Sequence, residues 1–321
     1  MDSVERTAVG TGSLGRLAVV GSGAVGLYYG GCLARWGAEV HFLMRRDYAH
    51  AVERGIAVES ALGNFEIRPA HCHREAGTIG ACDLVIVAAK ATANRDLPPQ
   101  VAPLLGPGTA ILTLQNGLGN EEWLASHFGA PRVMGGTCFV CLNRVGPARV
   151  AHYDHGLVVL GEFAGAATGR ARALAEAFRR AGVPCEVTDD LALTRWKKLV
   201  WNVPFNGLAI SEGGATVEDV LGDPALLARA RALMGEVIAS AGALGHAIQA
   251  GFAEEMVARS RTMGPYRPSS LLDYEAGRDV EVEAIWGEAL RRGRGAGVAM
   301  PELERLYGKL KELCRGPKVA G

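Results

Sequence analysis

Three polar side chains recur at four-residue intervals in a segment that is otherwise rich in apolar residues. Lys198, Asn202 and Asn206 occupy positions i, i+4 and i+8 of a helix predicted over 191–208, so they lie along one face. A lysine ammonium donates protons once desolvation lowers its pKa, and asparagine amides bind carboxylates and hydroxyl groups. This stripe of Lys198, Asn202 and Asn206 would suit acid catalysis on a small polar substrate. The same spacing also fits the solvent-facing side of a surface helix. Pro204 predicts a kink before Asn206.

Lys90 and Asn116 follow two continuous apolar runs. Lys90 comes directly after the run 84–89, and Asn116 follows the run 110–114 after one intervening residue. Continuous apolar runs of this length are typical of parallel strands that are buried on both faces. Because ligands of open α/β sheets bind beyond the carboxyl ends of the strands, both side chains are predicted to face one crevice.

A glycine-rich turn stands between an apolar run at 17–20 and a helix-compatible segment, with a second apolar run at 40–44. Strand, tight turn, helix and strand in this spacing form a dinucleotide-binding βαβ unit. Gly21 permits the tight turn, Gly23 lets the backbone approach a pyrophosphate, and Gly26 lets the helix pack against the strand. The pyrophosphate would lie on the helix N-terminus, whose free N–H groups favour an anion. The predicted cofactor-binding turn comprises Gly21, Ser22, Gly23, Ala24, Val25 and Gly26.

Two arginines follow the second predicted strand, where NAD-binding units usually carry an acidic residue for the ribose 2′-hydroxyl. The planar guanidinium of Arg45 or Arg46 instead suits the 2′-phosphate of NADP, since it can bind two phosphate oxygens at once. We therefore favour NADP(H) over NAD(H) as the cofactor. A solvated basic pair, or an ion pair of either arginine with Asp47, is the alternative.

The order of predicted elements indicates an α/β fold with two domains. Helices at 120–128 and 170–181 alternate with the apolar runs and with short strands at 56–58, 65–67, 157–160 and 185–187. From residue 190 onward helical spacing predominates, at 191–208, 224–242, 280–295 and 302–314. We predict a flexible N-terminal extension over 1–15, a Rossmann-type parallel-sheet domain over 16–188 and an all-helical substrate domain over 189–316. A cleft between the two domains would hold the ligands.

Composition argues against several classes of partner. Lys plus Arg and Asp plus Glu number 34 each, so no net charge attracts nucleic acid or an acidic membrane surface. No apolar run reaches the ~18 residues of a membrane span, and the first residues lack the charged start and apolar core of a signal peptide. The odd number of cysteines, seven, and their irregular spacing favour reduced thiols in a cytoplasmic protein.

Two metal-like motifs do not lead to a predicted metal site. Cys138 and Cys141 have the CxxC spacing, but a zinc site usually needs a second pair, and the segment 133–142 is predicted to be a buried strand. The His-Cys-His tripeptide at 71–73 lies in polar connecting sequence that predicts a surface loop. Three adjacent residues do not readily chelate one ion, so no metal is expected.

Together these motifs resemble the ketopantoate reductase (2-dehydropantoate 2-reductase) family along nearly the whole chain, from about 17 to 313. The resemblance is carried by the glycine turn, Arg45, Lys90, the Asn116-Gly-Leu-Gly119 turn, the Lys198/Asn202/Asn206 stripe, and Pro268-Ser-Ser270 with Glu281-Val-Glu283. It implies NADPH-dependent reduction of a 2-oxo acid, first of all ketopantoate to pantoate in pantothenate and coenzyme A biosynthesis. It also implies a Rossmann domain joined to a helical domain of the 6-phosphogluconate dehydrogenase type.

The resemblance implies a role for each matched residue. The glycine turn would hold the pyrophosphate and Arg45 the 2′-phosphate, while Lys90, Asn116 and the backbone near Cys141 would line the nicotinamide side. Lys198 would be the proton donor, and Glu281 would lie between cofactor, substrate and Lys198 as a second catalytic residue. The substrate would be bound by Asn116, Lys198, Asn202, Asn206 and Ser270.

Three questions of function stay open at this point. Arg267 stands three residues before Ser270, where the family pattern has a small polar residue, so it either favours a more acidic or longer substrate or points outward. A reductase of another carbonyl compound is one alternative function. A non-catalytic NADP(H)-binding sensor is another, although a sensor needs no proton donor. Whether the chain forms a homodimer is not decided by the sequence.

Overall fold

The computed structural model describes residues 14–315, so the predicted extension over 1–15 lies outside the described residues except for Leu14 and Gly15. The strands are β1 (Arg16–Val20), β2 (Glu39–Leu43), β3 (Ile56–Ser60), β4 (Phe65–Ile67), β5 (His71–His73), β6 (Cys82–Val87), β7 (Leu105–Thr113), β8 (Val133–Gly146), β9 (Arg149–Glu162) and β10 (Cys185–Val187). The α-helices are α1 (Ala24–Trp36), α2 (Tyr48–Arg54), α3 (Pro98–Val101), α4 (Asn120–Phe128), α5 (Gly169–Arg180), α6 (Leu191–Ser211), α7 (Val217–Gly222), α8 (Pro224–Ala243), α9 (Phe252–Ser260), α10 (Ser269–Glu275), α11 (Glu288–Gly295) and α12 (Pro301–Leu313).

The ten strands form one sheet in the order β4-β3-β9-β8-β7-β6-β1-β2-β5, with β10 paired to β9. The six strands from β8 to β5 along this order are parallel. The strand order reverses at β1, which lies between β2 and β6. The carboxyl ends of parallel strands line a binding crevice at such a point. Beyond β8 the sheet is mixed, because β8 pairs antiparallel with β9 and β3 antiparallel with β4.

Alternate residues of the central strands enter two separate cores, which is why these strands are apolar throughout. Leu17 and Val19 of β1 pack on the face that α1 covers. Ala18 and Val20 pack on the opposite face, with residues of α3 and α4. A third core joins the helices of the C-terminal region. The fold is therefore a Rossmann-type α/β sheet followed by a helical region, as the sequence predicts.

The change from strands to helices falls between the end of β10 and the start of α6. Asp190 caps α6, and its side chain accepts the Leu193 N–H at 2.8 Å. The helix continues through Pro204 to Ser211, so Asn206 lies on the same continuous helix as Lys198. Helices α8 and α12 pack against α6 and hold it at the centre of the helical region. The exact domain boundaries stay a prediction.

One local prediction was wrong. The tripeptide at 71–73, expected in a surface loop, is the edge strand β5, which pairs parallel with β2. The carbonyl of His73 accepts the Met44 N–H at 2.8 Å, and the rings of His41 and His73 are joined by a hydrogen bond of 3.0 Å. Backbone pairing defines an edge strand, and polar side chains are common there, so the polarity of the segment misled the prediction.

The strand predicted at 133–142 is present but longer than expected. β8 continues to Gly146 and forms an antiparallel hairpin with β9, 14 residues in each strand. The outer part of the hairpin is polar and partly exposed, which hides it from a search for apolar runs. Within residues 14–315, no helix has the length and apolar character of a transmembrane segment.

Candidate active site

The predicted glycine turn joins β1 to α1 with the geometry that a dinucleotide needs. Gly21 has a φ of +98°, and a Cβ there would lie 2.2 Å from the Ala89 backbone nitrogen. A Cβ on Gly26 would lie 2.2 Å from the Gly21 carbonyl oxygen, so both positions require glycine. Nothing lies within 4 Å of a Cβ built on Gly23, which precedes α1, and no side chain caps that helix. Open space before uncapped N–H groups fits a pyrophosphate.

The end of β2 lies beside this turn. Ser22 Oγ donates to the carbonyl of the last residue of β2 at 2.8 Å. Arg45 and Arg46 follow β2, are exposed, and have no ion pair within residues 14–315. Asp47 instead pairs with Arg144, so the expected competition for the two arginines is absent. Both guanidinium groups are available for a phosphate at this end of the crevice.

Lys198 and Asn116 are in direct contact across the crevice. Lys198 Nζ, on α6, donates to Asn116 Oδ1, just beyond β7, at 2.6 Å. Burial lowers the pKa of Lys198 to about 8, while the neighbouring Cys138 raises it, the charge of Arg195 lowers it and Glu281 raises it. An ammonium with this pKa is mostly protonated at neutral pH and transfers its proton readily.

A chain of amides fixes the backbone that carries Asn116. Gln115 Nε2 donates to Asn94 Oδ1 at 2.7 Å, and Asn94 Nδ2 donates to Asn120 Oδ1 at 3.1 Å. Asn120 Nδ2 then donates to the carbonyl of Asn116 at 2.9 Å. The amides bind one another and this carbonyl, so the Asn116 side chain stays directed toward Lys198.

Glu281 is buried where β6 meets the helical region. Its Oε1 accepts the backbone N–H of Ala91 at 2.8 Å. Burial raises the pKa of Glu281, while the Ala91 N–H and the charges of Lys90 and Lys198 oppose this rise. The carboxyl group therefore lies within electrostatic reach of both lysines.

Lys90 connects the carboxyl end of β6 to the helical region. Its Nζ forms an ion pair with Asp273 Oδ2 at 2.8 Å and also donates to the carbonyl of Asp279. Asp273 in turn pairs with Arg278 Nε at 2.8 Å. These partners were not predicted from the sequence.

The turn after Asn116 packs directly on the helical turn that follows Glu281. Gly117 has a φ of +88°, and a Cβ there would lie 2.4 Å from the carbonyl oxygen of Ala284. Leu118 N–H donates to the same carbonyl at 2.9 Å. The segment Glu283–Gly287 is a π-helix. π-Helices are rare in proteins, and those that occur often lie at functional sites. This contact fixes Asn116 relative to Glu281.

The polar stripe of α6 ends against α10. Asn206 Oδ1 accepts the Ser270 backbone N–H at 3.0 Å, and both residues are buried. Asn202 lies one turn earlier, between Asn206 and Lys198, and its amide has no hydrogen bond to another described residue. The stripe is therefore an internal one, and the surface-helix alternative was wrong.

Cys141 and Arg267 lie apart from this cluster. They line a cavity of about 420 Å³ between the β8–β9 hairpin and the segment before α10, together with Asn143, Tyr153, Asp154, Thr262, Met263, Pro265, Tyr266 and Leu272. Arg267 is exposed and pairs with Glu275. No contact joins Cys141 to Lys198 or Glu281 among the described residues, whereas the thiol of Cys138 affects the pKa of Lys198.

Sequence reasoning also missed Arg195 and Glu121. They form a buried ion pair between α6 and α4, next to the Lys198 contact. One signal was present in the sequence, because Arg195 stands three residues before Lys198 in a largely apolar helix. Its partner is 74 residues away, so local sequence did not identify it.

Two models of one protein family match this chain. The family model described as ketopantoate reductase PanE/ApbA matches residues 17–165, and the model for the C-terminal part of the same enzyme matches residues 190–313. The chain belongs to the ketopantoate reductase family. It is therefore an oxidoreductase, and membership of the family implies a nicotinamide dinucleotide as cofactor.

Individual ketopantoate reductases are similar over their whole length. A 2-dehydropantoate 2-reductase of Nostoc sp. is 38% identical over 303 residues, which cover 93% of this chain and 95% of that protein. The crystal structure of 2-dehydropantoate 2-reductase from Geobacter metallireducens has a TM-score of 0.91 at 45% identity, covering 92% of this chain and 99% of that one. D-Mandelate dehydrogenase with NADH and anilino(oxo)acetate has a TM-score of 0.84 at 20% identity, with 93% and 97% covered, and shares the fold.

Proposed function

We propose that this ketopantoate reductase family member reduces a 2-oxo acid to a 2-hydroxy acid with NADPH. The substrate we favour is 2-dehydropantoate (ketopantoate), giving (R)-pantoate for pantothenate and coenzyme A biosynthesis. The contact of Lys198 with Asn116 carries the proposal, because it holds a partly buried proton donor at the carboxyl end of β7, in the same crevice as the glycine turn. The names of the Nostoc and Geobacter relatives support this substrate.

Lys198 is the proton donor in this proposal. NADPH, when bound, supplies the hydride. Negative charge then develops on the ketone oxygen of the substrate, and the ammonium of Lys198 both stabilises that charge and donates its proton. Asn116 orients the ammonium through its Oδ1, and the carboxyl group of Glu281 acts on it electrostatically.

The remaining polar groups of α6 and α10 suit the rest of the substrate. The amide of Asn202 is available to bind a carboxylate, and the Asn206 amide nitrogen is left over after its oxygen accepts from Ser270. The Ser270 hydroxyl lies beside them. Amide donors position a carboxylate without adding charge to the site, so the ammonium of Lys198 stays directed to the ketone oxygen.

NADPH rather than NADH is favoured by the two arginines after β2. Arg45 and Arg46 are exposed and make no ion pair within residues 14–315, so a 2′-phosphate would bind them without breaking an existing contact. A charge-assisted hydrogen bond to phosphate contributes about 1.5–3 kcal/mol. We assign Arg45 as the first phosphate ligand.

The test is NADPH oxidation followed at 340 nm with purified protein. Ketopantoate is compared with longer and dicarboxylic 2-oxo acids, because the sequence leaves open whether Arg267 favours them. NADH is tested in parallel. We expect fast turnover on ketopantoate with NADPH and much slower turnover with NADH. NADPH binding without turnover on any 2-oxo acid would contradict the proposal and favour the sensor function.

The sensor function is the weaker candidate. A partly buried lysine whose pKa is lowered to about 8 is expected of a proton donor, and a nucleotide sensor has no use for one. A cytoplasmic location stays a prediction from the sequence, and whether the chain forms a homodimer stays open.

A further inference from the structure

Arg195 and Glu121 form a fully enclosed ion pair at the junction of sheet and helices. Each residue is only 4% exposed. Arg195 Nε donates to Glu121 Oε1 at 2.8 Å, and Nη2 donates to the same oxygen. Gly135 of β8 makes room for the pair, since a Cβ there would lie 2.3 Å from Glu121 Oε1. Stability alone does not explain such a pair, because apolar residues of similar volume often stabilise a protein interior as well as a buried ion pair does.

The other donors of Arg195 bind the strand end that carries Asn116. Arg195 Nη1 donates to the carbonyl of Gln115 at 2.7 Å, and Nη2 donates to that of Thr113 at 3.4 Å. One turn further along α6, Lys198 Nζ binds Asn116 Oδ1 at 2.6 Å. Gln115 and Asn116 at the strand end are therefore bound by Arg195 and Lys198 of α6. Arg195 and Lys198 are neighbours on the helix surface, because residues at i and i+3 lie on the same face.

We propose that Arg195 is a positioning residue for Lys198, held in place by Glu121. Its guanidinium fixes α6 to the end of β7, so that the ammonium meets Asn116, and it provides a fixed positive charge beside that ammonium. This inference rests on the proposed role of Lys198 as proton donor.

The charges around Lys198 explain why a guanidinium is used. Cys138 of β8 and Glu281 before the π-helix raise the pKa of Lys198, and Arg195 on its own helix lowers it. Lys90 and Asp273 lie further out, around Glu281. Arg195 is thus the one cation among the charges that act directly on Lys198 in the described part of the chain. A guanidinium stays charged at every working pH, so its effect does not vary.

The test measures the pKa of Lys198 directly, without using activity. The chain is labelled with limiting acetic anhydride across a pH series, and acetylation of Lys198 is quantified by peptide mass spectrometry with Lys197 as internal reference. In Arg195→Met we expect the pKa of Lys198 to rise by about 0.5–1.5 units, the range for one charge at this spacing in a protein interior.

A second variant excludes misfolding as the cause of the result. Arg195→Met leaves Glu121 buried without a counter-charge, which destabilises proteins strongly. The double variant Arg195→Met/Glu121→Met removes both charges and keeps the volume, and the same upward shift is expected because Arg195 acts on Lys198 and Glu121 does not. Arg229→Met is the matched control, since Arg229 joins Glu212 and Glu302 within the helical region and does not act on Lys198.

The outcomes separate this inference from the proposed function. An unchanged pKa of Lys198 in folded Arg195→Met and in the double variant would overturn it, and so would an equal shift in Arg229→Met. Absence of turnover on every 2-oxo acid would refute the proposed function, yet the labelling result would still report whether Arg195 acts on Lys198. With active protein, the alkaline limb of kcat/KM should move upward in Arg195→Met as the pKa does.

Discussion

The lowered pKa of Lys198 makes the rate of reduction depend on pH near neutrality. Because the proton donor acts in its protonated form, activity is present below the pKa and is lost as the pH rises through it. With a pKa of about 8, the protonated fraction falls from about nine-tenths at pH 7 to about one-tenth at pH 9. We expect kcat/KM for ketopantoate to fall about tenfold over this interval. A solvent-exposed lysine, with a pKa of about 10.4, would keep its activity beyond pH 9.

The assay measures initial rates of NADPH oxidation at subsaturating ketopantoate, since kcat/KM reports the pKa values of the free enzyme. NADPH affinity is measured at each pH, so that loss of cofactor binding is not mistaken for loss of the acid. Glu281→Gln provides the internal check. The charge of Glu281 raises the pKa of Lys198, so its removal should move the alkaline limb to lower pH. A flat profile to about pH 10, or a limb that moves upward in Glu281→Gln, would refute the reasoning.

Three further predictions concern the contacts around Lys198 and the cofactor end of the crevice. Arg45→Glu should weaken NADPH roughly ten- to 150-fold, the equivalent of ~1.5–3 kcal/mol, with a smaller effect on NADH, as measured by fluorescence titration. Gly117→Ala should destabilise the protein by about 1–3 kcal/mol and lower kcat, because the added Cβ would lie 2.4 Å from the Ala284 carbonyl oxygen. Denaturant unfolding measures the loss of stability, and turnover assays measure kcat. Asn206→Asp keeps the acceptor for the Ser270 N–H but adds a negative charge, so KM for a 2-oxo acid should rise about tenfold or more; Tm should fall as well, because the new carboxylate is buried, and KM is measured below the onset of unfolding.

Each of these predictions has a distinct contrary result. Equal losses for NADPH and NADH in Arg45→Glu would remove the 2′-phosphate role. Gly63→Ala is the control for Gly117→Ala, since Gly63 also has a positive φ but nothing within 4 Å of its Cβ position. If both glycine variants lose the same stability and activity, the contact with Ala284 is not what positions Asn116. An unchanged KM in Asn206→Asp would take Asn206 out of the substrate site.

The structure of the glycine turn and its flanking elements was predictable because its determinants are local. The glycine turn, the apolar strands on both sides and the arginines after β2 lie within 30 consecutive residues, so spacing alone fixes their relation. Lys90 and Asn116 were also placed correctly at the crevice, since parallel strands present their carboxyl ends at one edge. The structure adds the close contacts of Gly21 and Gly26, which show why both are glycine.

The helical half was predictable only in outline. Periodicity located α6, α8 and α12, and the stripe of Lys198 and two asparagines, but it did not show which way the stripe faces. Packing by α8 and α12 decides that, and it turns the stripe inward. Pro204 did not end the helix, because the packed core on both sides of α6 keeps it continuous.

The unpredicted features all depend on partners that are distant in the sequence. Lys90 binds Asp273, and Arg195 binds Glu121, across separations that no periodicity encodes. The edge strand β5 was mistaken for a loop because its pairing with β2 depends on backbone hydrogen bonds, which the polarity of its side chains does not indicate. The role of Cys141 in the nicotinamide site stays a prediction from the family resemblance; of the two cysteines, Cys138 is the one that acts on the pKa of Lys198.

The central claim is that Lys198 supplies the proton in reduction of a 2-oxo acid. The most direct test is Lys198→Ala, with turnover on ketopantoate and NADPH affinity measured on the same preparation. Our account predicts that turnover falls by roughly 10²–10⁴, the usual effect of losing a general acid, while NADPH affinity stays nearly unchanged. Turnover that is equal to that of the unmodified protein would contradict the account and remove Lys198 from the mechanism.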